Sequence, residues 1–379
     1  MDLNKFDDIR PYIDSEVCSA MERIAANPQL EDISSYLFPG KNTDFFREVL
    51  LSCKSVDDFQ VKVMAFVVGK ILSDTSKVLT YSGLEYFKEN KKHLIITNHR
   101  DIVLDSAIIQ LVLHNHNVQT TEIAVGDNLI TTSFIEDIAR SNKMIKVVRS
   151  TSPREVYNSS QKLSQYIRYN VASDKSSIWI AQRNGRTKDG MDMTEQGLLK
   201  MLDMSGKGDF FTDFEELGIM PASISYEFEP CDVLKAVELY ISKRRKYVKS
   251  KNEDLNSILT GIMQFKGNIH IEFTEPISKE EIAEAANLDK NERFKYLAAC
   301  IDKRICSTYK LWKNNYIAYD ILNGKDEYAN EYTSIEKQAF TDYLKYKLSS
   351  VEGDTAEMED IFLHIYANPV INKLEHTVC

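Results

Sequence analysis

The stretch Leu94-Ile95-Ile96-Thr97-Asn98-His99-Arg100-Asp101-Ile102-Val103-Leu104-Asp105 decides how the chain is read. Leu94 to Thr97 is a short apolar, β-branched run of the kind that forms a buried strand. Asn98 to Asp101 is a polar break, and Ile102 to Leu113 is an apolar run of helical length. A strand that runs straight into a helix puts the break at the carboxyl end of a sheet, where open α/β folds carry their chemistry. His99 lies in that break. An imidazole that titrates near neutrality can take a proton from a hydroxyl, and a carboxylate beside it fixes its tautomer. Asp101 and Asp105 are both within reach in sequence. Asp101 also suits a helix N-cap and Asp105 a first helical turn, so the residues alone leave the partner open.

Outward from this stretch, strands alternate with helices. Val78–Tyr81, Thr121–Val125, Met144–Val148, Ser177–Ala181, Ile219–Ser225 and Asn268–Phe273 read as further strands. Phe134–Arg140 reads as a helix. So does the stretch to about Val171 that opens at Ser152-Pro153-Arg154-Glu155, a capping-box sequence with proline at the first helical position. Ser278-Lys279-Glu280-Glu281 predicts a second box. The expectation is an α/β fold with a largely parallel central sheet flanked by helices. An α/β domain over 78–280 carries helical additions at the N-terminus (1–77) and the C-terminus (281–379, packed on the domain). In the N-terminal addition, Arg10–Ala26 and Asp44–Cys53 have helical spacing. Phe59–Leu72 is its most apolar piece, read as a helix packed on the core in preference to a monolayer anchor.

Composition narrows the class. The 379 residues are 43% hydrophobic and 27% charged, ordinary for a globular protein. A net charge of −10 argues against a nucleic-acid partner. The N-terminus lacks the apolar core of a signal peptide, and no apolar run reaches transmembrane length. Six scattered cysteines without metal spacing suggest free thiols in a reducing cytoplasm and no metal site. The expected location is cytoplasmic, with peripheral contact at the inner face of the membrane left open. The dense basic run Lys243-Arg244-Arg245-Lys246, with Lys249 and Lys251, reads as a solvated helix face; anionic lipid or an acidic carrier protein is the other reading.

Arginine supplies the second chemical signal. Arg149 follows one strand, and Arg183 and Arg186 follow another, with Gly185 letting backbone approach a ligand. Arginines at strand ends suit a bidentate grip on phosphate. No GxxxxGK[ST] loop, GxGxxG, GxSxG elbow or HExxH is present. A histidine base with a phosphate grip and no serine nucleophile suggests direct attack by a substrate hydroxyl.

These residues resemble the glycerolipid acyltransferases, the glycerol-3-phosphate and 1-acyl-glycerol-3-phosphate acyltransferases. The family's first motif is Asn-His, four residues, then Asp; Asn98-His99 matches, and Asp105 lies one residue further on. Arg149 after Ile145–Val148 looks like the second motif. Ile178–Arg186 is similar to the third, with Asn184 where glutamate is usual and the arginine one place early. Met220-Pro221-Ala222-Ser223-Ile224 resembles the fourth, and Gly267–Ile277 the closing strand. The motifs stand in the family's order over about residues 78 to 280.

The resemblance implies O-acyl transfer in phospholipid synthesis. The donor is acyl-CoA or acyl carrier protein, a co-substrate, with no cofactor; the acceptor is a hydroxyl of glycerol-3-phosphate or its 1-acyl derivative. His99 and Asp105 are the expected catalytic pair, with Asp101 as the alternative partner. Arg149, Arg183, Gly185 and Arg186 bind substrate, with Asn184 and Pro221 as further candidates. Amides near Gly185 or in the helix after Asp101 face the oxyanion. Two other readings remain: a lipid or acyl-carrier binding protein without turnover, and a thioester hydrolase.

Overall fold

The computed structural model describes residues 3–87 and 91–377. Seven strands form one sheet: β1 (Ser76–Ser82), β2 (Leu94–Thr97), β3 (Glu122–Gly126), β4 (Met144–Val147), β5 (Ile178–Ala181), β6 (Met220–Tyr226) and β7 (Gly267–Phe273). Their spatial order is β1-β7-β6-β2-β5-β3-β4. β6, β2, β5, β3 and β4 run parallel, while β7 pairs antiparallel with β6 and parallel with β1. The sheet is therefore largely parallel, as expected. All four residues of β2 are buried, which is why that strand reads as an unbroken apolar run.

Alternation along the central strands splits the core in two. Leu94, Ile96, Ile178 and Ile180 face one layer, closed by the Pro153–Val171 and Glu292–Thr308 helices. Ile95, Trp179, Met220 and Ile224 face the other, closed by the Leu104–Asn115 and Ala65–Thr75 helices. The N-terminal helices bury their own cluster around Met21, Phe46 and Phe59. A fourth cluster joins the Lys313–Asn323, Ser334–Leu348 and Thr355–Thr377 helices to Ala236.

Several local expectations change. The helix after the break starts at Leu104, not Ile102. Asp101 turns the chain first, its Oδ1 accepting from the amides of Val103 (2.9 Å) and Leu104 (2.8 Å). The Ser278 box forms in full, whereas the Ser152 side chain caps nothing and Glu155 accepts instead from Ser150. Phe59–Leu72 packs on the core, but through a π turn at Gln60–Met64. The basic run is not a helix face: the preceding helix ends at Ser242, and the cations lie on the connection to the Glu253–Met263 helix. The five cysteines among the described residues are free thiols, and Cys379 lies outside them. Among the described residues, no helix is long and apolar enough to cross a membrane.

Candidate active site

The five parallel strands end on one rim, and His99 sits two residues beyond the end of β2. Asn98 fastens that end sideways. Its Oδ1 accepts from Ile224 N (2.8 Å), and its Nδ2 donates to Ile224 O (3.0 Å) and Asp192 Oδ2 (3.3 Å). The loop after β5 docks on the same spot, with Gln182 N donating to Thr97 O (2.8 Å) and Thr187 N to His99 O (2.8 Å). Residues 183–186 are thus held at both ends over the His99 turn. The Trp179 ring stands 5.8 Å from the imidazole and is fixed by its own bond to Thr97 Oγ1 (3.0 Å).

His99 Nδ1 lies 2.8 Å from Asp105 Oδ2, so the extra residue before this acid is absorbed in the Asp101–Val103 turn. The imidazole is 13% exposed and the carboxylate 0%. Asp105 Oδ2 also accepts from the amides of Arg100 (2.6 Å) and Asp101 (2.9 Å), and Oδ1 accepts from the Tyr226 hydroxyl (2.7 Å). Burial works against this charge, but the bonds from His99, Asp101 N and Tyr226 outweigh it and hold the Asp105 pKa below the usual carboxylate value. Asp101 goes the other way: burial and the neighbouring Asp105 charge push it up. Its Oδ2 has no hydrogen-bond partner among the described residues and faces Gly261, where a Cβ would stand 2.1 Å away. The two acids therefore divide the roles, Asp105 as the ionised partner of His99 and Asp101 as the turn former.

Beneath the rim lies a buried charge cluster that sequence reasoning did not single out. Arg100, 0% exposed, pairs with Asp192 and reaches Glu229 Oε1 at 3.5 Å. Lys235 Nζ donates to Glu229 Oε1 (2.6 Å) and to Arg100 O (2.7 Å). The cluster ties the His99 turn to the Asp232–Ser242 helix. Asn368 and Asn372 of the C-terminal helix hold the carbonyls of Asp189 (2.7 Å) and Gly190 (3.2 Å), bracing the loop that carries Asp192. Tyr226, Asp192, Glu229 and Lys235 stand far from His99 in sequence, and only tertiary structure unites them; Arg100 adjoins His99, yet its position in the chain does not reveal that it is buried.

The arginines do not stand equally close. Arg186 is a charged neighbour of both Asp101 and Asp254, and its Nη1 is buried without a hydrogen-bond partner among the described residues; so is Arg183 Nε. Gly185 sits at φ +79° with open space around it, a conformation only glycine adopts freely. Arg149 leaves β4, three strands from β2 and roughly 14 Å away at about 4.8 Å per strand. It is exposed and folds over Gly126, where a Cβ would stand 2.7 Å from its Nε. Asn128 beside it donates to Asp254 (3.0 Å), which links this outer edge back toward Arg186. Asn184 is exposed, and its amide donates to Glu195 Oε2 (3.2 Å), so a glutamate carboxylate does stand at that point. Pro221 lies inside β6 beside Ile96 and accepts from Thr274 N (3.0 Å), a strand contact below the rim. The amides of Arg100, Asp101, Val103 and Leu104 are all committed to the two carboxylates, which removes them as oxyanion donors.

An imidazole held by a buried carboxylate on the carboxyl rim of a parallel sheet is an arrangement chemically able to accept a proton from a hydroxyl. Residues 78–222, which hold this pair, match the family model described as Acyltransferase. That match makes this stretch similar to the acyltransferases, over less than half of the chain. No curated protein matches the sequence. Among six matching solved chains is the 1-acyl-sn-glycerophosphate (LPA) acyltransferase PlsC from Thermotoga maritima. It is 10% identical, the match covers 75% of this chain and 91% of that one, and the TM-score is 0.38, too distant to carry residue roles.

Proposed function

We propose that the protein moves a fatty acyl group from acyl-CoA or acyl carrier protein to a hydroxyl of glycerol-3-phosphate or 1-acyl-glycerol-3-phosphate, a step of phospholipid synthesis. The observation that carries the reading is the His99 Nδ1–Asp105 Oδ2 bond of 2.8 Å, which directs Nε2 away from the acid. Nε2 takes the acceptor hydroxyl proton while that oxygen attacks the thioester carbonyl carbon. The tetrahedral oxyanion collapses, the C–S bond breaks, and the departing sulfur takes the proton back from Nε2. Asp105 orients the ring and balances the imidazolium between the two transfers. Arg183 and Arg186, on the loop held beside His99, grip the acceptor phosphate, and Arg149 reaches in from the outer edge. The amides of Gly185 and Arg186 are the donors for the oxyanion. Holding both substrates together supplies much of the rate, with no covalent enzyme intermediate.

The test is thiol release from a labelled acyl thioester by purified protein across a panel of phosphorylated acceptors, with products read by mass. His99→Ala should lower transfer by about 10²–10⁴-fold with the fold intact. Normal turnover by that variant refutes the mechanism. Release that ignores the acceptor makes the protein a hydrolase, and saturable binding without turnover makes it a binding protein.

A further inference from the structure

The Glu253–Met263 helix is a wall of the site. Its Gly261 packs on Asp101, and its Asp254 bonds Asn128 at the end of β3. At 100° per residue, Ser257 and Gly261 fall on one side, and both are buried. Leu255, Leu259 and Met263 fall on the other, 56%, 53% and 61% exposed. Val248 leads into this stripe at 79% exposure and Phe265 follows it at 46%. Large side chains this exposed form a ridge that stands proud of the surface.

Charge leads directly into the ridge along the chain. Residues 243–251 hold six cations and no acid, in a chain of net charge −10. Lys243 and Arg244 pair with Glu357, and Lys249 with Asp254. Arg245, Lys246 and Lys251 are exposed and have no ion-pair partner among the described residues. An aliphatic ridge flanked by unpaired cations is the pattern of an interfacial helix on an anionic bilayer. A folded acidic protein could meet the charge, but it would need a groove shaped to three flexible aliphatic side chains. A fluid lipid surface moulds around them.

We propose that the Glu253–Met263 helix and the basic 243–251 connection dock the protein on an anionic phospholipid surface, with Leu255, Leu259 and Met263 entering the headgroup–acyl boundary. Docking this helix sets the His99 rim against the membrane that would hold a lipid acceptor. The proposal deepens the reading of the function, yet its test reads no chemistry.

Full-length protein is floated with vesicles of phosphatidylcholine alone and of phosphatidylcholine mixed with phosphatidylglycerol. Wild type should bind the mixed vesicles at least about tenfold more tightly and release with salt, as expected for several cations near the surface. R245Q–K246Q should weaken binding by roughly 25-fold, about fivefold per cation. L259D–M263D should abolish it, with circular dichroism and thermal unfolding unchanged. His99→Ala should float like wild type, which separates docking from acyl transfer. Absence of wild-type flotation, flotation indifferent to both double variants, or binding to a purified acidic acyl carrier protein without vesicle binding would each overturn the proposal.

Discussion

Asp105→Asn tests how the histidine is held. Asp105 Oδ2 accepts three N–H groups: His99 Nδ1 at 2.8 Å, Arg100 N at 2.6 Å and Asp101 N at 2.9 Å. Two of these are backbone and cannot turn into acceptors, so the asparagine oxygen is fixed in that place and its amide nitrogen faces the Tyr226 hydroxyl. The Nδ1–H tautomer then survives, and only the charge is lost. A charge-assisted hydrogen bond is about twice as strong as a neutral one, a difference of roughly 1–2 kcal/mol. At about 1.4 kcal/mol per decade, that predicts a fall in kcat/KM of about 5- to 30-fold. A flipped amide would present NH2 to Nδ1, enforce the wrong tautomer and cost about 10⁴-fold. Single-turnover thioester release with a soluble acceptor, beside a thermal melt, reads the outcome. A loss under about twofold means Asp105 is not the charge partner. A loss equal to that of His99→Ala, with the melt unchanged, refutes the backbone-fixed orientation. The pH dependence of stability follows from the same site. A carboxylate depressed in the folded state stabilises above its unfolded pKa of about 4, and that stability is lost as pH falls through the folded value. The variant should therefore lose part of the wild-type decline below about pH 4.

Gly261→Ala should destabilise by about 1–3 kcal/mol, because its Cβ would stand 2.1 Å from an Asp101 oxygen whose carboxylate is already fastened to two amides; a denaturant midpoint equal to wild type would refute this contact. Tyr226→Phe leaves Asp105 three donors, so activity should fall only a few-fold while stability drops by roughly 1.5 kcal/mol, and no change in the melt would sink the buried-bond argument. Glu122, enclosed against Tyr166, is pushed by burial up to about 7. Folding therefore takes up a proton there, and stability falls as pH rises from about 4.5 to 7. Glu122→Gln should flatten that fall, gaining on the order of 1–3 kcal/mol at pH 8 after discount for the part of the side chain that stays exposed, and a melt series with unchanged slope would contradict it.

The central strands were legible because burial on both faces writes an unbroken apolar run, as in Leu94–Thr97 and Ile178–Ala181. Strand direction leaves no such mark, and nothing in Gly267–Phe273 announces that it runs against β6. The Glu253–Met263 helix escaped because it exposes Leu255, Leu259 and Met263, and the Asp232–Ser242 helix because it packs on distant C-terminal helices and not on the sheet that the strand pattern marks. In the site, spacing left Asp101 and Asp105 both open as partners of His99 and only the resemblance favoured Asp105; the structure brings Asp105 to Nδ1 because the Asp101–Val103 turn absorbs the added residue. Arg100 was not: a lone arginine beside a histidine says nothing of two acids and a lysine folded around it from far along the chain. Arg149 was placed on the correct rim, but rank along the sheet, which sets its distance from His99, depends on a strand order that sequence does not reveal.

The double fastening of residues 182–187 to β2 has a consequence for how acceptors are chosen. Because both anchors sit beside the base, the main chain that carries Arg183 and Arg186 cannot drift outward without breaking two main-chain hydrogen bonds. On the proposed reading, the starting point of the anion clamp relative to the base is thus set by the peptide between the anchors. On that reading, adding or deleting a residue between the anchors would move the clamp against the base more than any side-chain change, as a carpenter resets a stop rather than bending the rule.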